Sequence, residues 1–481
     1  MRVRNMIDRS VVTCLSCQNQ FIIRIGIGYE PEVKFYITCP LCHTGLRGKL
    51  TLNPNGDEVK ISSNDFREEY SNKYNSIKLQ VRNIHVDYPI ERKDLNLDGI
   101  SPYINFRILV KDDEFKVFLR YSSQVLEYYN DILPIIKRSE TLFTNRKLEQ
   151  LEKNIKSITS SIKFPDFYKE PDSIYLYLVG LAPSLIHPKG VNDKAKKDFE
   201  LELKKCQRNK PKLESLLNYC FKNFKFFDFI NQTIRTAILL MDKLDAIFLG
   251  LAARSLTKVG LSLDDFVVSR DDFEELGSLY KDIFEVCWKS YRYQLLFINL
   301  SRRGSEERCF DKNRSLKEIM NLKPYNLEDL IKESQEMNKM YSVLSRELRN
   351  LVGHASTRYD VDSGNIISQG KKKMSLLSFI EVLINSTNAL AYTISFCFFT
   401  LNQYKKYNSV SSKKMISALP QHQALLSTIM ATLNSDGCMI CGDTPARQVR
   451  INGSDGRLCN DCIKIQRIQY GSKIEEFNIE P

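Results

Sequence analysis

Residues 326–356 read NLEDLIKESQEMNKMYSVLSRELRNLVGHAS. Leu327, Leu330, Ile331, Met337, Tyr341, Leu344, Leu348 and Leu351 recur at intervals of three, four and seven, which lays one apolar stripe along a helix and excludes a strand. Asn326 is a good N-cap, so the spacing predicts one long amphipathic helix over 327–352. The same period continues outward through 211–256, 277–300 and 374–403, and in shorter form through 122–162, 195–207 and 413–433. Gly and Pro are sparse through these stretches, and breaks are expected at 170–173, 182–194, 301–324 and 359–373. The chain therefore reads as mainly α, with a helical connector at 122–210, a bundle at 211–403 and a helical linker at 404–436.

Before residue 122 the period changes from helical to alternating. FIIRIGIGY from Phe21, VKFYIT from Val33 and GKLTL from Gly48 alternate as short strands do. Ile77, Leu79 and Val81 continue the pattern. Phe106, Ile108 and Val110 then pair in expectation with Phe115, Val117 and Leu119 through a turn at Lys111–Glu114. A β-rich N-terminal unit is thus expected over 1–121, divided into 1–60 and an extension at 61–121.

The chain has 481 residues, about three domains' worth, and 43% of them are hydrophobic, enough to bury a large core. Seventy Lys and Arg against 58 Asp and Glu leave a net charge of +12 spread along the length, which suits a polyanionic partner or simply a soluble surface. Residues 1–20 carry charges where a secretion signal needs an apolar core, so a cytoplasmic protein is expected. Val382–Leu401 has no charged residue and the length of a bilayer span, but Asn385, Ser386, Thr387 and Asn388 lie together in it. Four adjacent polar side chains are costly in lipid, so a buried core helix and no membrane are expected.

Eight of the thirteen cysteines form four Cys-x-x-Cys pairs. Cys14 and Cys17 are followed after 21 residues by Cys39 and Cys42; Cys438 and Cys441 are followed after 17 by Cys459 and Cys462. Each pair can present two thiolates on a tight turn, and two such knuckles complete a tetrahedral sulfur site. Structural zinc at both ends is the expectation, with no open coordination position for a catalytic metal. An iron–sulfur centre and disulfides are the alternatives such spacing leaves open. The first cluster resembles a zinc ribbon, in which His43 is expected beside the site rather than on the metal. The second, at 437–481, resembles a treble-clef finger of the GATA kind, with Gly442 after its first knuckle and Asn460 within its second. Arg447, Arg450, Arg457, Lys464 and Arg467 decorate that finger and suit phosphate contacts or a protein partner. Cys206, Cys220, Cys287, Cys309 and Cys397 are expected as small buried hydrophobes.

Of five histidines, His85, His187 and His422 have no evident partner. His354 closes the string RELRNLVGHAS, where Arg349, Asn350 and His354 reproduce the Arg, polar, three residues, His motif of the HEPN superfamily. The chain resembles that family over about 211–403, as an α-helical bundle carrying its motif late on a long helix. The resemblance implies a metal-independent endoribonuclease, a defence or toxin effector with a protein trigger or antitoxin, that cuts RNA by attack of its own 2′-hydroxyl. It also implies a homodimer. On an ideal helix Asn350 and His354 share a face while Arg349 points about 140° from His354, so a second copy, or a bend at Gly353, must complete one site. The same residues suit a plain helix C-terminus, where cations meet the dipole. Asp242 and Asp245 are candidate carboxylates for Arg349. The competing function is a non-catalytic nucleic-acid-binding or scaffold protein whose zinc fingers recognise the partner and whose bundle dimerises.

Overall fold

The computed structural model describes residues 7–26, 32–52, 59–69, 79–85, 90–92, 102–110, 112–159, 170–187, 193–268, 273–304, 315–322, 326–327, 330, 338, 341–353, 356–360, 363–408, 447–451, 454–458 and 474–476. Its first part is two hairpins. Strands β1 (Ile7–Cys14) and β2 (Gln20–Gly26) pair antiparallel, as do β3 (Glu32–Thr38) and β4 (Gly45–Leu52), and each Cys-x-x-Cys lies in the turn joining its pair. Strand β5 (Val59–Ser62) extends the second hairpin, while β6 (Phe66–Glu69) and β7 (Val81–His85) flank the first. Alternation does its usual work here: Val12, Phe21, Ile23, Phe35, Ile37, Leu46 and Leu50 point inward and form a small core of their own with Cys14 and Cys39. The strand expected from Ile77 begins only at Val81, and Ile77 itself lies outside the described residues.

Strand β8 (Ile90–Arg92) leaves this unit, and Ile90 is buried in the second, helical core. The hairpin expected over 106–119 is instead two helices, α1 (Pro102–Leu109) and α2 (Asp112–Glu127), so the helical part begins some twenty residues before the expected boundary at 121. Part of the alternating set also satisfies a helical reading, while Ile108 and Leu119 are left exposed. Phe106 and Val110 are four apart, and Phe115, Phe118, Ser122 and Val125 share one buried face. Asp112, Asp113 and Glu114, expected within a turn, form an acidic first turn that the helix dipole favours.

A π-helical turn (Tyr128–Ile132) leads to α3 (Leu133–Thr144) and α4 (Leu148–Thr159). Helix α5 (Pro171–Leu185) has no sequence period because nearly every residue in it is buried. After α6 (Asp193–Cys206), the stretch 211–256 is three helices, α7 (Lys210–Asn223), α8 (Phe226–Asp242) and α9 (Leu244–Lys258). Strand β9 (Phe266–Val268) pairs with β8, tying the N-terminal extension to the bundle. Then come the 31-residue α10 (Phe273–Arg303) and the short α11 (Leu316–Met320).

The helix expected as one piece over 327–352 is interrupted. Tyr341 is helical, 342–345 is a turn, and a new helix α12 spans only Arg346–Val352. Ser345 is extended (φ −103°, ψ 119°) and its hydroxyl caps the Leu348 N–H. The break is held from outside: the Tyr280 hydroxyl on α10 accepts from the Ser345 N–H at 2.9 Å and donates to its carbonyl at 3.2 Å.

The expected break at 359–373 holds a three-stranded antiparallel sheet, β10 (Thr357–Asp360), β11 (Asn365–Ser368) and β12 (Lys371–Ser375). The last long helix, α13 (Leu376–Asn408), packs against α5, α9 and α10. It is long and apolar enough to cross a membrane, yet 78% of its most apolar window is buried inside the fold. Three of its four clustered polar residues have partners: Asn385 accepts from Arg254, Ser386 donates to the Leu383 carbonyl, and Thr387 donates to that of Ile384. Strands β13 (Arg447–Ile451), β14 (Ser454–Leu458) and β15 (Ile474–Glu476) form a small C-terminal sheet in the order β14-β13-β15. The molecule is thus mainly helical with small sheets toward both ends.

Candidate metal centre and motif helix

The four N-terminal cysteines converge. Their sulfurs all lie within 4.8 Å of one another, with Cys14 to Cys42 at 3.9 Å and Cys17 to Cys39 at 3.6 Å. A tetrahedral ion with metal–sulfur bonds of about 2.3 Å requires sulfur–sulfur separations of about 3.8 Å, so this donor set fits a tetrathiolate metal site.

The two knuckles are built alike. In each, the first cysteine's carbonyl accepts from the N–H four residues on, Gln18 to Cys14 at 2.8 Å and His43 to Cys39 at 3.0 Å. Each first cysteine's N–H donates to the carbonyl five residues on, Asn19 and Thr44. Gln18 (φ 59°) and His43 (φ 56°) take the left-handed conformation that turns the chain back into the next strand. His43 is therefore a backbone corner beside the site.

The electrostatics of the four thiols suit a bound cation. The Thr44 hydroxyl and N–H bring the Cys42 thiol down to about 6. Cys17, although the Asn19 backbone lowers it, is pushed up to about 12 by desolvation and the neighbouring sulfurs. Four thiols this close ionise together only around a positive ion. Among the described residues no other group of three or more Cys, His, Asp and Glu is so arranged. Cys438, Cys441, Cys459, Cys462, Asn460, Lys464, Arg467, His422 and the expected helix at 413–433 lie outside the described residues. Arg447 and Arg450 fall on β13 and Arg457 on β14. Cys206, Cys220, Cys287 and Cys397 are buried in the bundle, and Cys309 lies outside the described residues.

The second candidate is α12. Arg349 and Asn350 occupy its last turns, and Arg349 Nη1 donates to Asn350 Oδ1 at 3.3 Å. Arg349 is about one-third exposed and donates from Nε at 3.0 Å and Nη2 at 2.6 Å to Glu285 Oε1 on α10. Its carboxylate partner is thus Glu285; Asp242 is taken by Lys137. Gly353 ends the helix in the ordinary right-handed region (φ −89°, ψ −5°), and His354 lies outside the described residues. The motif's Arg and Asn sit on a seven-residue helix rather than late on a long one, because Tyr280 and Ser345 restart it.

Sequence reasoning missed Glu285, 64 residues before Arg349, since no local spacing links them. It also missed His187. That side chain is buried just beyond α5, with Nε2 2.6 Å from the Thr387 hydroxyl. Burial first, and then the Arg254 charge, push its imidazole down to about 3, so it is neutral at physiological pH.

No family model matches the chain, and it matches neither a curated protein nor a solved structure.

Proposed function

We propose that the chain is an endoribonuclease of the HEPN kind, with Arg349, Asn350 and His354 acting on a phosphodiester of RNA. The observation that carries this reading is the placement of Arg349 and Asn350 side by side at the end of α12, five and four residues before His354, with the guanidinium held by Glu285. A guanidinium has five N–H donors. Three are engaged here, by Glu285 and Asn350, which leaves two for a phosphate oxygen.

In the reaction His354 takes the proton of the ribose 2′-hydroxyl as O2′ forms its bond to phosphorus. The phosphorus–O5′ bond breaks, O5′ takes up a proton, and a cyclic phosphate and a free 5′-hydroxyl remain. Arg349 offsets the charge gathering on the phosphoryl oxygens, and Asn350 orients the imidazole or a phosphate oxygen. No catalytic metal enters this scheme. Two copies of the chain complete the site as a homodimer, and a defence or toxin role in the cytoplasm, released by a protein trigger or held in check by an antitoxin, follows from the same resemblance.

Zinc fits the four sulfurs of Cys14, Cys17, Cys39 and Cys42 and would cross-link the two hairpins as thiolate ligands. Cys438, Cys441, Cys459 and Cys462 form a second zinc site in this reading, with Arg447, Arg450, Arg457, Lys464 and Arg467 available for nucleic acid.

The Arg349–Glu285 ion pair favours a second reading, in which the bundle is a non-catalytic scaffold and the arginine is structural. Incubating zinc-loaded wild type and His354→Ala with total RNA, under a brief EDTA pulse, separates the two. The nuclease reading expects cyclic-phosphate ends that fall at least about 100-fold in the variant. Undiminished cleavage by folded His354→Ala, or none by the dimeric wild type, sinks it.

A further inference from the structure

The sheet that follows the motif helix carries its charge at one end. Strand β10 begins four residues after Gly353, so its first residue lies at most about 14 Å from the end of α12. The register then sets the rungs across the sheet. The first two are Thr357–Ser368–Lys371 and Arg358–Ile367–Lys372, with Lys373 as the extra residue of the bulge beside them. The next two are Tyr359–Ile366–Met374 and Asp360–Asn365–Ser375. Every cation of the three strands is thus at the end nearer α12 in the chain, and their one carboxylate, Asp360, is on the last rung.

The platform under these cations is fixed. Ile366 is fully buried, and the Tyr359 hydroxyl donates to the Val268 carbonyl at 2.8 Å and accepts from its N–H at 3.2 Å. The Thr357 hydroxyl donates to that of Ser368 at 3.1 Å. The β11–β12 hairpin closes on Gln369 (φ 52°) and Gly370 (φ 71°), the two positive φ angles that a type I′ turn uses. A Cβ added at Gly370 would meet nothing within 4 Å, so the tip stands in solvent.

Arg358, Lys371, Lys372 and Lys373 are all exposed. Asp264, just before β9, holds Lys372 at 3.1 Å, and Asp360 accepts from the Ser363 hydroxyl. Among the described residues, Arg358, Lys371 and Lys373 have no carboxylate at ion-pair distance, Asp265 included.

Lysine on an edge strand also discourages pairing with another sheet. That role requires neither Arg358 on the opposite edge nor the confinement of charge to the end nearer the motif. The outer strands are about 10 Å apart, so cations rise from both sides of one narrow face. A chain of phosphates neutralises several such cations at once and releases their counterions. We propose that this end of the β10–β12 sheet grips the backbone of single-stranded RNA, with Lys371 and Lys373 on phosphates from one edge and Arg358 from the other. It deepens the nuclease reading, on which it rests, by giving the substrate strand a path beside the motif helix, and its test reads binding rather than cleavage.

Full-length His354→Ala protein, which cannot cleave in that reading, is titrated against a fluorescein-labelled 20-nucleotide oligouridylate by anisotropy between 50 and 200 mM KCl. Adding Lys371→Gln with Lys373→Gln, at an unchanged melting temperature, is expected to weaken binding at least about tenfold at the lowest salt. The slope of log affinity against log salt should flatten by about 1.4, two single-strand phosphate contacts. The control pair Lys147→Gln with Lys153→Gln, exposed at the start of α4 and removing the same charge, is expected to leave both within about twofold. An unchanged affinity and slope in the folded Lys371/Lys373 pair overturns the proposal, as do an equal loss in the control pair and absence of RNA binding by the parent. Loss confined to phosphatidylserine vesicles, with RNA binding intact, overturns it too. If RNA binding depends on the hairpin pair while wild type never cleaves, the RNA-gripping surface stands and the nuclease reading falls. Cleavage by wild type with binding indifferent to the pair gives the reverse.

Discussion

The two-hairpin unit and the helical bundle hold themselves together differently. The first buries Val12, Phe21, Ile23, Phe35, Ile37, Leu46, Leu50, Ile61 and Phe66 with two of its four cysteines. The second buries an unbroken set of side chains running from Ile90 to Leu401, and α13 alone contributes Leu376, Phe379, Ile380, Leu383, Ile384 and Leu390. A core of about ten side chains supplies little apolar burial against the ordering of some sixty residues, so a cross-link at its knuckles is expected to matter to the small unit. The bundle needs none.

The difference is most sharply exposed by removing one ligand. Cys39→Ser takes away a buried sulfur that no water can replace, and a structural tetrathiolate zinc is worth on the order of 10 kcal/mol to the fold that makes it. The expected outcome is loss of one zinc per chain by atomic emission and loss of amide protection across β1–β4, with α10 and α13 still protected. Equal loss in the bundle would show that the two regions fold as one.

Leu383→Ala attacks the other side. Leu383 is fully buried, and its truncation is expected to cost about 2–5 kcal/mol in denaturant unfolding while zinc content stays at the wild-type value.

Tyr280→Phe is smaller and more local. It removes the acceptor of the Ser345 N–H, while the Ser345 carbonyl still accepts from the Arg349 N–H, a loss of about 1–3 kcal/mol that should appear as faster amide exchange in 345–352. If Arg349 acts on a phosphodiester, cleavage should fall with it.

The smallest effect is a slope. Below about pH 6.5 the unfolded chain binds a proton at His187 that the folded protein refuses down to about 3, so folding stability falls as pH drops through that window. The contribution is at most about 1.4 kcal/mol per pH unit. His187→Gln should flatten stability against pH by that amount, and an unchanged slope would place the titration elsewhere.

Much of the first region was legible in advance. Cysteines two residues apart and strands of period two are local patterns, and they placed the knuckles and β2–β4 within a few residues. In the bundle, the patterns located α6, α10 and α13, whose stripes or apolar length are read without a neighbour. They failed where burial was total, at α5, because a helix surrounded by protein has no polar face. They failed again at 106–119, where Phe106, Val110 and Phe115 are buried on helices while Ile108 and Leu119, which alternation placed with them, are exposed, and the packing of Phe106 on Phe118 at 5.1 Å accompanied the helical choice.

At the motif the division is finest. That Arg349 and Asn350 stand at the end of a helix follows from the residues around them, since Gly353 stops it and Leu348 and Leu351 face inward. That this helix is seven residues long, restarted at Ser345 and aimed through Glu285, follows from α10, whose Tyr280 and Glu285 are some 65 residues away in the chain. Interactions within one helical turn repeat with every occurrence of the same residues, so spacing reveals them. An ion pair between helices depends on how two stripes pack, and that geometry exists only once the bundle has formed.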